Sequence, residues 1–156
     1  MSPPLHVVLV NPLIPPNTGN IGRLCLGVGA RLHLVHPLGF SVDEKAVRRA
    51  GLDYWRHVDL QHHESVEAFL TWSEGRTLHL FSTRGTVPYT ARTYTAGDVL
   101  VFGAETTGLP QHMVDRFGAC LIPQRGAIRS LNLSNAAAVA VYGALHQIQP
   151  DWFVDP

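Results

Sequence analysis

Three short segments of this 156-residue chain gather amide, hydroxyl, carboxylate and guanidinium groups among glycines. The first is Asn17-Thr18-Gly19-Asn20-Ile21-Gly22-Arg23. The second is Phe102-Gly103-Ala104-Glu105-Thr106-Thr107-Gly108-Leu109-Pro110. The third runs from Ile122-Pro123 to Arg129-Ser130-Leu131-Asn132-Leu133-Ser134-Asn135-Ala136. In the first, the N–H groups of a starting helix and an Arg about one turn inside it would suit a phosphate. The second offers two glycines for close backbone approach and one carboxylate, Glu105. The third sets Arg129, Ser130 and Asn132 just ahead of a helix start. Each has a plainer reading: Asn17, Ser134 or Asn135 as helix caps, and the glycines as turn residues. There is no G-K-[ST] of a nucleotide-binding P-loop and no G-x-G-x-x-G after the first strand. There is no G-x-S-x-G elbow, and Ser130 has no His at a motif spacing, so a serine hydrolase gains no support either.

Loops of this kind bind ligands when strand ends position them, and the pattern around them alternates strand and helix. Leu5 to Val10, Arg31 to Val35, Thr77 to Ser82 and Val99 to Gly103 read as short buried strands, with Cys120 to Ile122 as a last one. Pro15-Pro16 rule out helix there, and Asn17-Thr18 would cap a helix running to about Ala30. Further helices are expected over Asp43 to Ala50, Ser65 to Trp72, and from Pro110 through PQHMVDRF. The last helix, Asn135 to Gln147, is apolar nearly all round, so it must be buried or packed closely on a partner. The class is α/β with a mostly parallel sheet flanked by helices.

Composition bounds the function. Hydrophobic residues are 46% and charged residues 15% of the chain, which argues against disorder. The formal charge is zero, which argues against coating nucleic acid through a uniform positive field but leaves room for a local basic site. Of twelve basic residues eleven are Arg, the side chain that grips phosphate bidentately. Cys25 and Cys120 stand far apart with no zinc spacing, and His62-His63 has no third ligand nearby, so no metal is expected. No run approaches the roughly 18 apolar residues of a membrane span. A cytoplasmic protein is the expectation.

Taken in order, the three segments resemble the three motifs of the SPOUT superfamily of RNA methyltransferases: N-T-G-N-I-x-R, then F-G-x-E-x-x-G-L-P, then I-P followed by R-S-L-N-L-S-N-A. The likeness spans almost the whole chain. IPPNTGNIGRLC, HPLGF and RRAGLDYW are similar to its small single-domain members, which methylate the 2′-hydroxyl of the wobble nucleotide of tRNA, a cytidine or uridine. The resemblance implies one domain over residues 1–156, with the C-terminal part threaded into a deep trefoil knot. It implies S-adenosylmethionine as cofactor, S-adenosylhomocysteine as product, and no metal. It implies a homodimer acting on the anticodon stem-loop of tRNA, with neither DNA nor membrane as partner.

Carried over residue by residue, the resemblance makes Asn17, Arg23, Glu105, Ser130 and Asn132 the functional polar set. Backbone at Phe81, Gly103, Ile122, Ser130 and Leu131 would cradle the adenosine, and Phe81 and Leu109 would pack on the adenine. Arg31, Arg48, Arg49, Arg125, Tyr54 and Trp55 are candidate RNA contacts. Two positions depart from the family pattern: Ala104 stands in place of Pro, and Thr107 in place of Arg. The rival readings are methylation at another RNA position and a non-catalytic RNA-binding protein on the same fold.

Overall fold

The structure, a computed structural model, describes residues 1–42 and 52–155. The expected helix from Asp43 to Ala50, with Arg48 and Arg49, lies outside the described residues. Among the described residues seven strands form one sheet: β1 (His6–Val10), β2 (Arg31–Val35), β3 (Leu60–His63), β4 (Leu78–Phe81), β5 (Val87–Pro88), β6 (Val99–Phe102) and β7 (Cys120–Leu121). Their spatial order is β3-β2-β1-β6-β4-β7-β5, and every pairing is parallel. The helices are α1 (Pro15–Val28), α2 (Val66–Trp72), α3 (Gln111–Phe117) and α4 (Leu133–Ile148).

A parallel sheet must be covered on both faces, and its central strands are apolar throughout. β1 and β6 are buried along their whole length. One face packs Val7, Leu9, Leu32, Leu34 and Leu100 against Ile21 and Cys25 of α1 and Ala137, Val141 and Leu145 of α4. The other packs Val8, Val35, Leu80 and Val101 against Phe69 of α2 and Met113 of α3. Alternation along each strand sends neighbours to opposite faces.

Three helix starts differ from expectation. α1 begins at Pro15, with the prolines in its first turn, where the missing N–H groups have no intrahelical acceptor to lose. Asn17 and Thr18 therefore lie inside the helix, and Ile14, its N-cap residue, makes no side-chain cap. α4 begins at Leu133, two residues earlier than expected, because Asn132 caps it: its Oδ1 accepts from the Ser134 N–H at 2.9 Å and the Asn135 N–H at 3.3 Å. Pro110 precedes α3 as its N-cap residue rather than opening it. Strand β3 carries no β-branched residue and β5 is two residues ending on a proline, so the sequence pattern predicts neither.

The C-terminal half has one unusual placement. β7 sits between β4 and β5, although β4 and β5 are consecutive in the chain. The connection from β4 to β5 therefore passes over β7. The N–H of Ser82 donates to the Cys120 carbonyl at 3.0 Å and that of Thr86 to the Ala119 carbonyl at 3.2 Å. A Cβ on Gly85 would stand 2.4 Å from the Cys120 carbonyl carbon, so the crossing admits only glycine there.

Candidate functional site

The ends of β4, β6 and β7 open into a cavity of about 610 Å³, within the range of small-molecule sites. Asn17, Phe81, Gly103, Glu105, Ile122, Ser130, Leu131 and Asn132 all line it. The three segments singled out by their chemistry thus meet at one place, at the carboxyl ends of parallel strands. Phe81 and Phe102 are register partners on β4 and β6, and their rings stack with centroids 4.8 Å apart. They give the cavity an apolar floor. Polar groups also line it, among them Ser82, Thr106 and Ser130, with the cations Arg84 and Arg129.

A chain of hydrogen bonds ties the segments together. The Asn132 side-chain amide donates to Asn17 Oδ1 at 3.0 Å. The Asn17 amide in turn donates to Glu105 Oε2 at 3.2 Å. Glu105 also accepts the N–H of Leu13 on Oε1 at 2.8 Å and that of Ile14 on Oε2 at 2.6 Å. A carboxylate some ninety residues away in sequence therefore does at the start of α1 what a local cap would do, and it faces the positive end of the helix dipole. With three donors on it, Glu105 serves as a brace between loops. The second segment turns tightly to bring it there: Gly108 has φ +69°, and its N–H donates to the Ala104 carbonyl at 2.9 Å. A Cβ on Gly103 would lie 2.1 Å from the Gly108 carbonyl carbon.

Two expected site residues lie apart from the cavity lining. Arg23 is exposed on α1, its guanidinium 5.7 Å from the centroid of the Tyr54 ring. Leu109 is buried at 2% exposure in the cluster with Met113 and Val8. Arg84 was not singled out from the sequence; the available signal was a cation in a Thr-Arg-Gly-Thr loop directly after a strand.

Among the expected RNA contacts, Arg31 pairs with Asp59 at 2.9 Å, and Arg125 is exposed. Trp55 is half-buried, and a Cβ on Gly22 would lie 2.4 Å from its ring.

Nothing at the site provides a thiol nucleophile or a metal cage. Both cysteines are free and buried. Burial pushes the Cys25 thiol up to about 12 and raises that of Cys120. Among the described residues no group of three His, Cys, Asp or Glu is placed to hold a metal ion. His62 and His63, adjacent on β3, point to opposite faces: His62 Nδ1 lies 2.8 Å from His36 Nε2, and His63 Nε2 lies 3.0 Å from His33 Nδ1.

Comparison with known proteins agrees with this assembly. The signature of the SpoU rRNA Methylase family matches residues 4–142. The chain is 46% identical over 147 residues to the tRNA (cytidine(34)-2′-O)-methyltransferase of Escherichia coli K12, covering 92% of this chain and 94% of that one. A solved structure described as giving insight into 2-OH methylation of C/U34 on tRNA superposes with a TM-score of 0.89 at 45% identity, covering 92% of this chain and 95% of that one. An AdoMet-bound rRNA methyltransferase from Sinorhizobium meliloti superposes with a TM-score of 0.85 at 26% identity, covering 94% of this chain and 57% of that one. With three sequence motifs converging on one cavity and a signature spanning most of its length, the chain belongs to the SpoU rRNA methylase family.

Proposed function

We propose that this chain transfers a methyl group from S-adenosylmethionine to the ribose 2′-hydroxyl of the wobble nucleotide of tRNA, cytidine or uridine 34, and releases S-adenosylhomocysteine. The observation that carries this reading is the Asn132–Asn17–Glu105 line, which closes three motifs around one cavity in a chain so similar to enzymes of that activity. The near-complete match to the C/U34 structure favours the wobble position over ribosomal RNA. The cavity fits the cofactor chemically: an aromatic floor at Phe81 and Phe102 suits adenine, and the polar lining suits an amino-acid end. When bound, S-adenosylmethionine supplies a methyl group already activated by its sulfonium, so no metal is required.

The residues of the chain then have to align and stabilise. Backbone at Phe81, Gly103, Ile122 and Leu131 holds the adenosine. Ser130 and Asn132 orient the reacting end, and Glu105 braces the segment that carries them through Asn17. Alignment of oxygen, carbon and sulfur alone is worth several kcal/mol, up to about 7–11 for well-oriented reactants. Guanidinium groups keep their proton in proteins. Arg23 accordingly acts as a fixed charge that grips the adjacent phosphate and stabilises the developing alkoxide, while the proton passes to phosphate or water.

Arg23 lies off the cavity of its own chain, exposed on α1, a helix packed beside α4. Leu26 on α1 and Val139 and Tyr142 on α4 are 38%, 37% and 49% exposed. A homodimer packed on these two helices would cover them and set Arg23 at the seam beside the site. The same reading has one domain over residues 1–156 and a C-terminal trefoil knot. Support for the knot is the passage of the 82–86 connection over β7. No helix among the described residues is long and apolar enough to cross a membrane. A cytoplasmic location follows from the tRNA substrate.

The test is incubation with methyl-labelled S-adenosylmethionine and tRNA from cells lacking wobble ribose methylation, with the label mapped by nucleoside mass spectrometry. A 2′-O-methylated cytidine or uridine at position 34 is expected. Label elsewhere would move the substrate, and cofactor affinity without label on any RNA would favour a non-catalytic binder. Arg23→Lys is expected to abolish turnover with cofactor affinity kept, and near-normal turnover would remove the bidentate role.

A further inference from the structure

Two segments wall the cavity: the 82–86 connection and the 103–110 loop. The first is fastened to β7 by the Ser82 and Thr86 N–H groups, as described above. Arg84 reaches from it across to the second. Its Nη2 donates to the Leu109 carbonyl at 2.7 Å, and its Nη1 donates to Gln111 Oε1. Gln111 is itself held, its amide donating to Asp115 Oδ1 at 2.8 Å one turn along α3. The Arg84 N–H, meanwhile, lies 3.1 Å from Ser82 Oγ, which accepts from it. One planar side chain thus joins both walls at the rim, using two separate nitrogens of its fork.

Resting on the methyltransferase reading, we propose that Arg84 is a positioning residue: a latch that sets the spacing of the two walls and so governs cofactor affinity rather than the methyl-transfer step. Its two acceptors belong to the backbone and an amide, so the guanidinium is committed to the protein rather than to a ligand. A fork that spans two acceptors resists sliding of one loop past the other, whereas an ammonium holds a single point.

The experiment is calorimetric titration of S-adenosylhomocysteine into the intact protein and its variants, together with the split of KM from kcat in the tRNA assay. Arg84→Ala should weaken binding about tenfold and raise KM for the methyl donor equally, with kcat within about twofold, the scale of one or two lost hydrogen bonds. Arg84→Lys should recover only part of the loss. Gln111→Ala, which keeps the Leu109 contact, should cost about threefold. Hydrogen exchange at Gly108 and Leu109 should quicken in Arg84→Ala while the rest of the sheet stays protected. Unchanged affinity in Arg84→Ala overturns the latch, as does a fall in kcat with affinity intact. Absence of binding by the unaltered protein sinks the methyltransferase reading instead, and the latch with it.

Discussion

Two polar relays tie this molecule together, and they are built for opposite purposes. One joins β1, β2 and β3: His6 Nδ1 lies 2.9 Å from His33 Nε2, and His33 Nδ1 lies 3.0 Å from His63 Nε2. Trp72 of α2 packs against all three rings, with centroid distances of 5.2, 4.5 and 5.4 Å. The other is the Asn132–Asn17–Glu105 line at the cavity. A neutral imidazole has one donor and one acceptor, so a file of three satisfies itself without any charge. Burial, first of all, lowers His6 to about 4 and His33 to about 2, and it lowers His63 as well. At the cavity the relay ends instead on a carboxylate that can only accept, so each donor upstream has a fixed direction. The first relay can therefore hold strands together without caring about ligands. The second can fix the relative position of three loops. Hydrogen bonds of similar length serve cohesion in one place and alignment in the other.

The sharpest way to break this contrast is Glu105→Gln. The amide would turn an N–H₂ toward donors, so kcat/KM should fall about a hundredfold, or about 2.7 kcal/mol, with little change in the unfolding midpoint. A loss of stability without loss of rate would make the two relays alike. His33→Leu comes next, and should do the reverse. It leaves ring nitrogens of His6 and His63 without partners and should cost about 2 kcal/mol in denaturant unfolding, with kcat unaltered.

The same relay predicts a pH dependence. The three histidines stay neutral when folded but take a proton near 6.5 when unfolded. Below that pH the unfolded chain binds more protons, so stability should fall from pH 6.5 toward 4 and hold steady above. A flat unfolding midpoint between pH 7 and 5 would contradict the neutral file. The smallest effect tests the joint itself. Asn132→Ser still caps α4 but is too short to reach Asn17, so stability should stay within about 0.5 kcal/mol while kcat/KM drops roughly fivefold.

Much of this was legible in the sequence where a residue's type alone sets its role. The runs LHVVLV and VLVF could only be buried strands, and the three polar segments met at one cavity as their placement after strands required. What escaped was set by distant contacts. LQHH reads as no strand, yet β3 is stabilised by a histidine that pairs only across the sheet. The prolines that seemed to forbid helix open one, because a carboxylate from another loop takes the N–H groups ahead of it. Arg84 carried no motif; its meaning lies in two acceptors that follow it by 25 and 27 positions.

The slot that β7 fills between β4 and β5 also dictates when the site can exist. Phe81 lies on one side of that slot and Ile122 at the end of the strand inserted into it, and both face the cavity. A nascent chain that has made every strand up to β6 still lacks the residues that complete the wall. Without β7 in its slot the cavity lacks part of its wall. The topology thus makes the cavity a property of the whole chain, since residues on both sides of the crossing must be in place to line it.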